Sequence, residues 1–411
     1  MTPVNTISDR TRRLLKDFVL NENASDLHIT PNDKPKMRIR DKLERIEEEK
    51  TMTPLDTYSF MEDLFKIRYG NEYEKFMKEY VNGKVNEHGD IVRKGEYDMA
   101  IVIPDTDYRC RVNILRTMGN FGVVMRKIPN KIPIMENLGF FKQHEEKIKE
   151  MARRKEGLIL VTGQTGSGKS TTLAAIINNL NEKDKKKIIT IEDPVEFVHK
   201  NKLSDIIQRE VGPAADTQTF YTGLKAALRE DPDIILVGEI RDEETALAAM
   251  QAAQTGHIVF ATLHTNSAPE TITRIIDMFP PEKERSIKTT LASSLRMIIS
   301  QKLAPSLDGK RKLIYEILVN NTEIQNQIIK EKFDDSHVRR SMNSGRSTED
   351  RMIPMEYCLL ERLKRKEISE KVAIEYANYK DEMKKLIEKN MGNTGAASLG
   401  TEQSLPKGWM S

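Results

Sequence analysis

The chain has 411 residues, and Lys plus Arg (66) nearly balance Asp plus Glu (63), leaving a net charge of +3. That length favours two or three domains and is enough for at least one full core. The charge balance excludes a chain-wide field that would draw in nucleic acid or an anionic membrane surface.

Cys110 and Cys358 are the two cysteines, and neither sits in a CxxC pair. No disulfide framework or zinc ribbon is therefore encoded, and a reducing compartment is expected. The opening residues MTPVNTISDRTRRLLKDF hold no apolar stretch of signal-peptide length. No apolar run approaches the roughly 18 residues of a membrane helix. A cytoplasmic location is the expectation.

Residues 1–126 read as a mixed first domain. Leu14, Leu15, Phe18 and Val19 fit one face of an opening helix. Strand-like runs follow at Asp26–Thr30, Lys36–Arg40 and Tyr97–Ile103, with Arg109–Leu115 and Phe121–Arg126 as a strand pair. Strands close together, without long helices between them, predict an α+β antiparallel sheet. Residues 127–150 are read as a linker and the start of a second domain, because KIPNKIP favours extended backbone before each proline.

From residue 151 to 305 the pattern becomes α/β. Leu158–Val161, Ile188–Ile191, Ile234–Val237 and Ile258–Ala261 are apolar runs of strand length, as expected of strands buried on both faces of a parallel sheet. Phe220, Leu224 and Leu228 repeat at helical spacing, and Asp242 and Gly256 bracket a further helix as N-cap and C′ residue. The alternation is a βαβ series. Residues 306–390 are expected to be a charged helical region, the pattern starting near 282, and 391–411 a flexible tail of small polar residues.

Gly163-Gln-Thr165-Gly166-Ser167-Gly168-Lys169-Ser170 fits G-x-x-x-x-G-K-[ST] between a predicted strand and a predicted helix. Glycines let backbone N–H groups close around phosphate oxygens, and the helix N-terminus, which continues with Thr171, adds positive field. Lys169 can reach the β- and γ-phosphates, and the Ser170 hydroxyl can ligate Mg²⁺, a hard ion that prefers oxygen. Glu239 ends an apolar strand and can polarise the attacking water. Glu192, Asp193 and Glu196 follow another strand end, where one carboxylate could hold the metal's water shell. His257 and His264 flank a fourth strand, and a histidine there can donate to a γ-phosphate.

These residues occur as four boxes in order: Walker A, Thr190–Phe197, Asp231–Asp242 and Thr255–Thr265. Together they resemble the PilT/PilU branch of the type II/IV secretion ATPase superfamily. Asp26-Leu27-His28-Ile29 is similar to its N-terminal signature, and Arg111-Val-Asn and Arg126-Lys-Ile-Pro to its arginine positions. The resemblance covers about residues 20–320.

It implies a PAS-like N-terminal domain joined flexibly to a RecA-like P-loop ATPase domain with a C-terminal helical extension. It also implies a homo-hexamer that binds ATP and Mg²⁺ and works against an inner-membrane pilus platform protein, with room for a second retraction ATPase. By the same resemblance Glu239 is the catalytic carboxylate and Glu196 assists metal or water. His257 and His264 sense the γ-phosphate, and Arg111 and Arg126 are arginine fingers.

A long N-terminal extension and a four-cysteine insert, usual in assembly ATPases of the superfamily, are not found, which favours the retraction branch. Glu323–Lys330 keeps only Ile324, Asn326 and Ile328 of that branch's AIRNLIRE-like motif, and Gln301–Lys310 is closer to the PilU sub-branch. The alternatives are a pilus-assembly or secretion ATPase, a non-catalytic ring subunit and a nucleic-acid translocase. The last is disfavoured by near-neutral charge and only 6% aromatic residues.

Overall fold

The computed structural model describes residues 7–40, 42–85, 91–92, 95–128, 131–212 and 215–391. The chain divides into two compact units. One holds residues up to Pro133 together with Asn181–Asp231, and the other holds Ile134–Leu180 and the chain from Pro232 onward.

In the first unit Ser8 caps the helix Asp9–Leu20, which buries Leu14, Leu15, Phe18 and Val19 as the spacing predicts. A six-stranded sheet runs in the order Lys42–Arg45, Lys36–Ile39, Ala24–Ile29, Asn120–Ile128, Arg109–Thr117, Glu96–Val102. Every pairing in it is antiparallel. The predicted strand pair is a hairpin, closed by Met118 and Gly119 at positive φ (48° and 80°), which matches the strands' right-handed twist. Cys110, Val112 and Ile114 are buried, while Arg109, Arg111 and Asn113 alternate onto the opposite face.

The expectation of no long helix among these strands is corrected: Pro54–Tyr69 is a 16-residue helix and Tyr73–Asn82 follows it. A start signal was present, because Thr53 and Asp56 form a capping box with Pro54 in the first turn. Thr57, Phe60, Met61 and Leu64 turn to the core, and the Phe65 ring meets Tyr97 at 5.0 Å. The same unit contains the parallel pair Lys187–Glu192 and Asp205–Glu210, and the helix Phe220–Ala227 capped by Thr219.

In the second unit the strands run in the order Ile234–Val237, Ile258–Leu263, Gly157–Thr162, Leu295–Pro305, Arg311–Val319. The first four are parallel to one another and the last is antiparallel to its neighbour. Gly157–Thr162 and Ile258–Leu263 are buried at every position, which accounts for their unbroken apolar runs. Asp242 caps the helix Glu243–Gln254, and Gly256 follows at φ 95° as its C′ residue.

The helical reading from residue 282 holds for the helix Glu284–Ser294 and is corrected over 295–319 by the last two strands. Their apolar stretches, Met297–Ile299 and Leu313–Val319, complete the buried sheet, so tertiary burial overrides the charged flanks. Beyond them the expected helical region is present as Thr322–Ile329, Asp335–Ser344, Met355–Lys364, Glu370–Tyr376 and Lys380–Met391. Pro129 and Asn130 of the expected linker, and the tail from Gly392, lie outside the described residues. Among the described residues no helix is long and apolar enough to cross a membrane.

Candidate nucleotide site

Parallel register decides which side chains can meet in the second unit. Thr162 pairs with Leu263, and Val237 with Ala261. The carboxyl ends of these strands therefore share one edge, where open α/β sheets place their ligands. Gly163, Glu239 and His264 each follow one of those ends. Two hydrogen bonds fasten the edge: Ile240 N donates to Thr262 O at 3.0 Å, and the Thr262 hydroxyl donates to Gly238 O.

The loop has the geometry its glycines predict. Gly163, Gly166 and Gly168 have φ of 144°, 79° and 89°, a region open to glycine and strained for other residues. A Cβ at Gly163 would lie 2.3 Å from the Gln301 carbonyl oxygen and 2.6 Å from Ser167 Oγ, so only glycine fits there. The Lys169 ammonium folds back onto the loop, donating to Gly163 O at 2.7 Å and Gln164 O at 3.2 Å. Ser167 Oγ is buried with no hydrogen-bond partner. A glycine cradle with a buried, unanswered hydroxyl and a lysine over it is a donor set for phosphate oxygens, and ATP fits it chemically. Ser170 and Thr171 open the helix Lys169–Lys183. Among the described residues no group of three or more His, Cys, Asp or Glu gathers to hold a metal. Ser170 carries a hydroxyl that could serve a Mg²⁺ ion as an oxygen ligand.

Glu239 is held from two sides. Its Oε1 lies 3.2 Å from His264 Nε2, and its Oε2 lies 2.8 Å and 2.7 Å from Arg241 Nε and a terminal nitrogen. The structure thus brings Glu239, His264 and the loop to one edge and adds Arg241. His257 is not brought there. It precedes Ile258 at the opposite end of its strand, about 20 Å from the loop at about 3.3 Å rise per residue. Its Nδ1 meets Ala252 O at 3.0 Å, so it closes the end of the helix Glu243–Gln254. That placement corrects its expected phosphate contact within this chain.

Gln301 belongs to the site as well. It is buried, its Nε2 donates to Ser167 O at 2.8 Å, and its Oε1 accepts from Thr172 Oγ1 at 3.0 Å. Beside it, Ser300 Oγ lies 2.5 Å from Thr162 Oγ1, which also accepts from Thr271 at 3.4 Å. Ser300 and Gln301, directly after the apolar run Met297–Ile299, were the signal for this, since a buried amide needs partners.

The remaining candidates lie in the first unit. The Glu192 carboxylate accepts from Thr190 Oγ1 at 2.6 Å and Gln208 Nε2 at 3.1 Å, and burial pushes its pKa up. Glu196 is exposed on the loop that follows. That loop is anchored by Glu210, a buried carboxylate that accepts from Val195 N at 3.2 Å, from Arg68 at 3.0 Å and from Arg109. Spacing along the chain gives no sign of Glu210's role, because its two arginine partners are more than a hundred residues away. Arg111 is half-exposed and 3.8 Å from Asp98, while exposed Arg126 donates to the buried Asp26 at 2.7 Å.

Comparison with known proteins agrees with this geometry. A family model described as type II/IV secretion system protein matches residues 82–404. The chain is 39% identical over 318 residues to the type IV pilus retraction ATPase PilT of Pseudomonas aeruginosa, covering 77% of this chain and 84% of that one. It is 32% identical over 373 residues to the type IV pilus ATPase PilU of the same organism, covering 90% and 89%. A crystal structure of the pilus retraction motor PilT with bound ADP superposes with a TM-score of 0.77 at 35% identity, covering 91% of this chain and 98% of that one.

Proposed function

The chain belongs to the type II/IV secretion system protein family, and we propose that it is an ATPase motor that retracts type IV pili. The observation that carries this reading is the single sheet edge that holds the glycine loop, Lys169, Glu239 and His264. We further propose a PAS-like domain over residues 1–126, a linker and the start of the ATPase domain over 127–150, a RecA-like core from 151 that extends past 305 to the strand ending at Val319, and a helical region from Thr322 to 390. The working assembly in this reading is a homo-hexamer at the inner face of the cell membrane, engaging a pilus platform protein.

The N–H groups from Gly163 to Ser170 and the Lys169 ammonium bind the phosphates of ATP, and Thr171 extends that cradle into the helix. Mg²⁺, when bound, neutralises charge on the phosphate oxygens. Ser170 would supply its protein ligand, and Glu196 is assigned here to its water shell. Glu239 orients and polarises the attacking water. His264, already beside Glu239, reports the presence of the terminal phosphate. Arg111 and Arg126 face outward, and a neighbouring subunit's nucleotide is the natural target for exposed guanidinium groups.

A second reading, an accessory retraction ATPase beside a partner motor, is favoured by one detail. In the helix Thr322–Ile329 the retained Ile324 and Ile328 are the buried residues. Much of the exposed face, including Glu323, Ile329 and Lys330, departs from the retraction motif, as a changed partner would require.

The deciding experiment is a gene deletion scored for surface pili and surface motility. More pili with lost motility is expected; bald cells would make the protein an assembly or secretion ATPase and overturn the retraction assignment. In vitro, Glu239→Gln should still bind ATP while turnover falls at least about 100-fold. Undiminished turnover would remove Glu239 from its role.

A further inference from the structure

Gln301 makes no contact expected of a group that touches substrate, yet it governs the loop's shape from behind. It is 1% exposed, on a strand that neighbours the one feeding the loop. One amide reaches both halves of the phosphate-binding element: Nε2 holds the Ser167 carbonyl at 2.8 Å, and Oε1 holds Thr172 in the first turn of the helix at 3.0 Å. Its backbone is close-packed on the same loop, since its carbonyl oxygen occupies the space a Cβ at Gly163 would need, and Nε2 lies 3.3 Å from the corresponding point at Gly168.

A trans peptide directs its C=O and the following N–H to opposite sides. Pinning the Ser167 carbonyl on Gln301 therefore turns the Gly168 N–H away from Gln301. Few other side chains can do this. Methionine fills the volume without hydrogen bonds. A glutamate carboxylate can accept from Thr172, but it presents a negative oxygen to the Ser167 carbonyl.

We propose that Gln301 is a positioning residue for nucleotide binding, which sets the loop so that its N–H groups converge on the phosphates. The inference rests on the nucleotide-site reading above. It extends that reading to a residue outside the four sequence boxes.

The test is titration of N-methylanthraniloyl-ADP into the full chain, using wild type, Gln301→Met, Gln301→Glu and Lys169→Ala. Gln301→Met should weaken binding about tenfold, the equivalent of one buried hydrogen bond. Gln301→Glu should bind weakly at pH 8 and recover toward wild type as the pH falls to 6. Protonation there gives the side chain an O–H to donate to Ser167 O, and burial favours the protonated form. A residue that only filled space would show no such recovery. Wild-type affinity in Gln301→Met, or a Gln301→Glu profile parallel to wild type, overturns the inference. Should Gln301→Met fail to fold, the pH profile of Gln301→Glu still decides. A wild-type chain that does not bind the probe, with Lys169→Ala indistinguishable from it, would instead remove the nucleotide-site reading.

Discussion

Arg111 and Arg126 stand directly opposite one another as cross-strand partners in the antiparallel hairpin Arg109–Ile128. Like charges so placed repel, and each is answered by one carboxylate, Asp98 for Arg111 and Asp26 for Arg126. Arg111→Ala is expected to leave the thermal midpoint unchanged, Arg126→Ala should lower it by leaving the buried Asp26 without its close guanidinium, and turnover of the assembled protein should fall about 1,000-fold or more in each, as loss of an arginine finger does. A steady-state assay at saturating ATP checks this, and full activity in both variants excludes the role.

The two histidines of the fourth box should separate cleanly. His264→Ala removes a group 3.2 Å from Glu239 and should depress turnover. His257→Ala frees the end of the helix Glu243–Gln254 and should lower the thermal midpoint while leaving turnover per folded molecule intact. Equal kinetic losses in both would contradict the strand-end argument.

Glu210 holds two arginines and a backbone N–H with one buried carboxylate. Glu210→Ala leaves Arg109 and Arg68 without that charge and should destabilise the fold by about 3 kcal/mol. Because Val195 N loses its acceptor too, hydrolysis should fall further than stability alone explains. Denaturant melts and turnover measured at a temperature where the variant is folded test the two parts.

Glu316 titrates against the usual direction for a carboxylate. Burial raises its pKa from 4.5 to about 7, although Ala268 N and Met355 N donate to it. A folded pKa above the unfolded one means the native state binds the extra proton between those values, so stability is lost as pH rises from about 4.5 through about 7. The full swing is on the order of 3 kcal/mol. Urea midpoints from pH 5 to 8 should fall more steeply in wild type than in Glu316→Gln, and parallel slopes would show that this carboxyl is not the source.

Much of this protein is determined locally and can be read one residue at a time. Gly163, Gly166 and Gly168 need backbone angles that glycine adopts without strain, Asp242 caps the next helix by a bond three residues along, and Ile258–Leu263 is apolar throughout because both of its faces are covered. These requirements act over a few residues, so the phosphate loop, Glu239 and the βαβ pattern are all legible in the chain. The helix Pro54–Tyr69 was legible too, from Thr53, Pro54 and Asp56.

Tertiary structure alone decided the rest. That His264 comes within 3.2 Å of Glu239 depends on which two strands become neighbours in the sheet, and spacing along the chain does not contain that. Gln301 reaches Ser167 across 134 residues, and Arg109 reaches Glu210 across 101. Leu295–Pro305 becomes a strand because a neighbouring strand offers it a partner and a core to fill. Contacts of this kind form only once the sheet has assembled, and burial then sets the cost of leaving each polar group unpaired.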